Sequence, residues 1–143
     1  MKIDAHHHFW KYDPVRYSWM NDRMEILKQD YQPSELLIEI EKTGIDGVVS
    51  VQADQSMLET DELLEHAARH DFIKGVVGWF PLADPSVEEV LAKYSSNPLL
   101  KGVRHVVQDE PDDRFILGEA FNEGIRKLEK FDLVYDILIY VRQ

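Results

Sequence analysis

The strongest constraint on this chain is an alternation of two signals that runs from its first residues to its last: short β-branched apolar runs, then longer amphipathic stretches. Parallel strands cannot be joined by tight turns and need crossovers, usually helical, so this alternation specifies a parallel α/β fold. Strands are predicted near residues 2–9, 45–53, 73–80, 99–107 and 132–141. Runs such as IDGVVSVQA and IKGVVGWF are apolar almost throughout, which implies a sheet covered on both faces.

Helical patterns fill the gaps. Pro33 is placed as a first-turn residue, Leu36, Leu37 and Ile40 share a face, and Gly44 supplies a stop. Met57 to His70 carries Leu58, Leu63, Leu64, Ala67 and Ala68 near helical spacing, and Asp84-Pro85 opens a third helix bearing Val87, Val90, Leu91 and Tyr94. A fourth is expected from about Phe115 to Lys130, with Phe121, Ile125 and Leu128 inward and Gly124 as a weak point in its middle. Four βα units and a fifth strand make a little over half of an eight-unit barrel. The expected fold class is therefore α/β, the N-terminal part of a (β/α)8 TIM-type barrel, as one incomplete domain over residues 1–143.

Charge narrows the partners. The 16 basic and 27 acidic side chains give a net charge of −11 with no basic block, so neither nucleic acid nor an anionic membrane is an expected partner. The opening MKIDAHHHFW is too polar for a signal peptide or span, which points to a cytoplasmic protein. There is no cysteine, so any metal must be held by nitrogen and oxygen. The last predicted strand reaches the chain end, leaving open sheet edges to be covered by a missing C-terminal half or by a second copy in a homo-oligomer.

Chemistry concentrates at the end of the first strand. Side chains alternate along a strand, so His6 and His8 share one face while His7 takes the other. At the C-terminal mouth of a barrel such a pair can hold a divalent metal, zinc foremost, through neutral nitrogens; a tag remnant or packed histidines is the competing reading. His66 and His70 are four apart, but Ala67 stands where a zinc protease pattern needs glutamate, so they read as a surface or helix-end pair. No glycine-rich phosphate loop and no Gly-x-Ser-x-Gly elbow is present. Residues 10–32 form a long aromatic-rich loop, and loops of that length are usually functional.

The stretch IDAHHHFWKYDPVRYSWM resembles the opening of the amidohydrolase-related branch of the amidohydrolase superfamily, which includes fuconolactonase-like and rhamnonolactonase-like sugar lactonases. Asp4, His6, His8, Phe9, Trp10, Tyr17 and Trp19 match that opening in order. VQADQSMLET, GVVGWFPL and above all GVRHVVQDEPDDRF extend the match along the chain. The resemblance implies a hydrolase that opens a sugar-derived lactone by attack of activated water. His6, His8, Arg104 and His105 would be the catalytic groups, and Trp10, Gln52 and Arg104 would touch substrate. Strand alternation sends one of Arg104 and His105 into the barrel mouth and the other toward its rim or the helical layer. Trp10, Tyr17, Trp19 and Trp79 are candidate walls for a sugar ring, or packing residues, and Asp109, Glu110, Asp112 and Asp113 read as a solvated turn. The complete family domain is about twice this length and carries its remaining pocket groups, including the expected base, on later strands. Two histidines are too few for a tight zinc site, so the metal is expected to be weakly held or absent here. A metal-dependent decarboxylase, a hydrolase of other esters and a catalytically silent fragment are the alternatives.

Overall fold

The computed structural model describes all 143 residues. Five strands, β1 (Ile3–His7), β2 (Gly47–Val51), β3 (Ile73–Gly78), β4 (Leu100–Val106) and β5 (Val134–Leu138), form one sheet in the order β1-β2-β3-β4-β5. Every neighbouring pair is parallel. A doubly wound sheet would place β1 centrally, whereas strictly sequential order is that of a barrel wall.

The crossovers are α1 (Pro33–Thr43), α2 (Met57–Arg69), α3 (Val87–Tyr94) and α4 (Glu119–Glu129). Pro33 preorganises the first turn of α1, and Gly44 ends the helix in the left-handed region at φ 68°. Ser56 caps α2, its hydroxyl accepting from the Glu59 N–H. The fourth helix begins later than its pattern implies, because Phe115–Leu117 forms a separate 3-10 turn. Gly124 is no weak point: a Cβ there would lie 1.9 Å from the carbonyl oxygen of Leu82, so only glycine lets α4 rest on that backbone.

All four helices cover one face of the sheet. A single cluster of 18 buried residues joins Ile40, Leu63, Leu91 and Phe121 from the helices to Val48, Val76 and Val103 from the strands. Each such side chain contributes about 1.5–3 kcal/mol on burial. Bulges reset the strand parity: Val48 pairs with Ile73 but Val49 pairs with Gly75, and the slip recurs between β3 and β4 at Val76 and Val77.

The first strand is shorter than residues 2–9. After His8 an antiparallel bridge between Trp10 and Tyr31 draws the chain away from the sheet, with N–H···O distances of 3.1 and 2.9 Å. Within the loop that follows, Asp22–Leu27 forms a 3-10 helix kinked at Met24, and Trp10, Tyr17 and Met20 make a second small core. At the far edge α4 covers β5 only at Tyr135, whose ring meets Phe121 edge-on at 5.9 Å, and Ile137 is 66% exposed. No helix is long and apolar enough to cross a membrane.

Candidate functional site

His7 pairs in register with Ser50, and its Nε2 lies 3.0 Å from that buried hydroxyl, so His7 faces the helical layer. His6 and His8 therefore face the barrel interior. Their Nε2 atoms are 3.2 Å apart. His8 Nδ1 sits 2.8 Å from the Val51 carbonyl, which only accepts, so Nδ1 carries the proton and Nε2 is bare. His6 Nε2 sits 3.2 Å from Arg104 Nη1, which only donates, so it too is bare. Two lone pairs then face one another without a proton between them. Zinc–nitrogen bonds of about 2.0–2.1 Å in a tetrahedral shell bring ligand atoms to roughly 3.3 Å, and the pair fits that spacing. Burial holds His8 neutral by lowering its pKa to about 4, and burial followed by the Arg104 charge also lowers that of His6. The fit stops at two groups, since no cluster of three or more His, Cys, Asp or Glu side chains forms.

Arg104 projects from β4 and is 6% exposed. Its Nε donates to Gln52 Oε1 at 2.8 Å, its Nη2 to the Gln52 carbonyl, and its Nη1 points to His6. Burial pulls its pKa below the ordinary value while Asp136 opposes that, and the guanidinium stays charged near neutrality. These groups border a cavity of about 530 Å³ at the C-terminal ends of the strands, closed further by Trp19 and Asn21 from the long loop and by Gln108 and Asp109. A volume of this size suits a small organic ligand.

A family model described as Amidohydrolase matches residues 3–141. The chain belongs to the amidohydrolase family. The chain is 37% identical to an L-fucono-1,5-lactonase of Burkholderia multivorans over 100% of its length and 48% of that protein. It is 29% identical to an L-fucono-1,5-lactonase of Burkholderia ambifaria, over 99% of the chain and 49% of that protein. The crystal structure of an amidohydrolase from Burkholderia multivorans with bound zinc superposes with a TM-score of 0.94 at 36% identity, covering all of this chain and 50% of that one. A probable 2-pyrone-4,6-dicarboxylic acid hydrolase from Acinetobacter baumannii shares the fold, with a TM-score of 0.68 at 12% identity. The chain spans about half the length of the curated relatives it matches.

Three expected site residues stand elsewhere. Gln52 is fully buried and does not meet the cavity; its oxygens hold Arg104 and its Nε2 donates to the Asp54 carbonyl at 3.2 Å. Its side-chain hydrogen bonds go to the arginine and to Asp54. Trp10 is 8% exposed, and its Nε1 donates to the carbonyls of Leu27 at 3.2 Å and Gln29 at 2.8 Å. It pins the loop, and Trp19 takes the place at the cavity wall. His105 points away from the cavity into the helical layer, stacked on Phe115 at 5.0 Å. The register explains the split: Arg104 pairs with Asp136 and shares its inner face, while His105 pairs with Ile137 on the outer one.

Asp136 is a residue that sequence reasoning missed. It shares a hollow of about 430 Å³ with His6 and Arg104, and its charge favours protonation of His6. The available signal was a carboxylate set in the otherwise apolar run VYDIL. Glu59 was also missed. Its Oε2 accepts from the N–H groups of Ala53 at 2.8 Å and Asp54 at 2.7 Å, and its Oε1 from the Tyr17 hydroxyl at 3.2 Å. With Arg16 bonded to Asp54 and Glu62, it fastens the long loop to α2. Burial pushes the Glu59 carboxyl up to about 7. His66 and His70 lie at the C-terminal end of α2, where His66 packs edge-on against Phe9.

Proposed function

We propose that this chain supplies the electrophilic half of a hydrolase that opens a sugar-derived lactone by attack of water on its carbonyl carbon. One observation carries the reading: two unprotonated imidazole nitrogens 3.2 Å apart beside a buried guanidinium, in a cavity of about 530 Å³. The relatives named L-fucono-1,5-lactonase support an aldonolactone as substrate.

His6 and His8 would hold a divalent cation, zinc by preference; such an ion, when bound, polarises a carbonyl and lowers the pKa of water. Arg104 stabilises the carbonyl oxygen as negative charge develops on it. Its fork needs no reorganisation, because Gln52 already holds two of its nitrogens. Trp19 offers an apolar wall for the C–H face of the ring. The ring C–O bond breaks, one water is consumed, and the product is a hydroxy acid. We assign the base that takes the water proton to strands that complete the barrel, in the same polypeptide or in a partner copy, since β5 has a strand neighbour on one side only.

The test follows acid release from aldono-1,5-lactones, L-fucono-1,5-lactone among them, with the chain alone and in a closed barrel, beside His6→Ala. Release that requires His6 supports the reading. If no lactone is opened by the closed barrel, or carbon dioxide is released instead, it fails.

A further inference from the structure

The outer face of β4 carries a second constellation. His105 is 8% exposed and lies in an apolar sleeve, stacked on Phe115 and meeting Phe121 edge-on at 5.3 Å. Trp79 Nε1 is 3.2 Å from its Nδ1, and Glu110 Oε1 is 2.6 Å from its Nε2. An indole N–H can only donate, so Nδ1 must be the acceptor and Nε2 must carry the ring proton toward the carboxylate. A second proton on Nδ1 would set two N–H groups head to head. One neutral tautomer is therefore imposed from both sides.

Both ends of this relay are anchored. The Trp79 N–H donates to Oγ1 of the fully buried Thr60, and that hydroxyl donates back to the Trp79 carbonyl, each at 2.9 Å. At the other end the Glu110 N–H closes the 3-10 turn Val107–Asp109 on the Val107 carbonyl at 3.1 Å. That turn presents Gln108 and Asp109 to the cavity. A chain of contacts thus runs from α2 through Trp79, His105 and Glu110 to the cavity rim.

We propose that His105 is a positioning residue whose relay from Trp79 to Glu110 holds Gln108 and Asp109 where they can read the hydroxyl groups of a bound lactone. This rests on the reading of the cavity as the lactone site. The rim binds substrate and transition state alike, so its disorder raises KM and spares kcat.

The full chain is measured as wild type and as His105→Phe, His105→Gln and Glu110→Ala. Phenylalanine keeps the stack without the relay. Glutamine keeps an acceptor and a donor spaced as in imidazole. Nitrogen NMR of the wild type should show a pyridine-type Nδ1 and a pyrrole-type Nε2 at His105. His105→Phe and Glu110→Ala should speed amide exchange across residues 107–110 about tenfold, the weight of a hydrogen bond to a charged acceptor. In the closed barrel they should raise KM for L-fucono-1,5-lactone by about tenfold with kcat within about twofold, and His105→Gln should restore both readouts to within about threefold. A protonated Nδ1, exchange unchanged in Glu110→Ala, or a fall in kcat at constant KM overturns the proposal. If wild type opens no lactone, the lactonase reading fails, while tautomer and exchange still decide the relay. If His105→Phe does not fold, Glu110→Ala and the wild-type spectrum serve.

Discussion

The two faces of this sheet come from the same five strands and are built on opposite principles. The outer face is dry: 18 buried apolar residues from strands and helices interlock, and of the polar groups beside them Thr60 and His105 are bonded on both sides while His7 Nδ1 and the Tyr135 hydroxyl have no partner. The inner face carries His6, Arg104 and Asp136 around open hollows. Burial of apolar area is non-directional and tolerant of detail, so it supports the fold. Directed lone pairs and a preset guanidinium are intolerant of detail, so they support chemistry. Separating the two lets the site carry unfavourable proximity, such as an arginine beside two histidines, on a scaffold stabilised elsewhere.

Substitutions can break or sharpen that contrast. The largest effect is expected from Gly124→Val on the outer face, where the new side chain meets the Leu82 carbonyl. It should cost more than about 4 kcal/mol and abolish cooperative unfolding followed by circular dichroism. A stable variant would mean that α4 is not seated on that backbone. Next, Arg104→Lys on the inner face keeps the charge and loses the fork, and should lower lactone turnover by about a hundredfold or more. Its urea midpoint should move far less than that of Gly124→Val; if stability falls first, the two faces are not separable.

Glu59 tests the seam between the faces through pH. Its carboxyl is raised by burial from 4.5 to about 7, so the folded state binds its proton more tightly than the unfolded chain does. The resulting stabilisation is complete below about pH 4.5 and is lost as pH rises through 7. Relative to Glu59→Gln, wild type should lose roughly 2–3 kcal/mol between pH 5 and 8 in urea melts, with the buried histidines cancelling in the comparison. A pH-independent difference would place Glu59 in a permanently ionised network. The smallest effect belongs to Ile137→Thr, within about 0.5 kcal/mol in the chain alone, because the side chain is 66% exposed. A cost above about 1 kcal/mol would show that the outer side of β5 is covered in solution.

Much of this was legible in the residues. The alternation of apolar runs and amphipathic stretches reflects local periodicity, which is why parallel strands, crossover helices and the inward pairing of His6 with His8 could be read directly. The fourth helix was harder. Its glycine reads as a flaw until the carbonyl of Leu82, forty-two positions earlier, is seen to lie against it.

The sequence by itself determined the strand order, the parity of the three histidines and the arginine block of β4, because those follow from spacing along one strand or between neighbours. Only the tertiary structure decided that Arg104 faces in and His105 out, that Gln52 serves the arginine, that Trp10 is sealed while Trp19 meets the cavity, and that Asp136 joins the site. The physical reason is common to all of them. Bulges between strands reset parity, and a polar side chain's role depends on which partners, distant in the chain, satisfy its hydrogen bonds on folding.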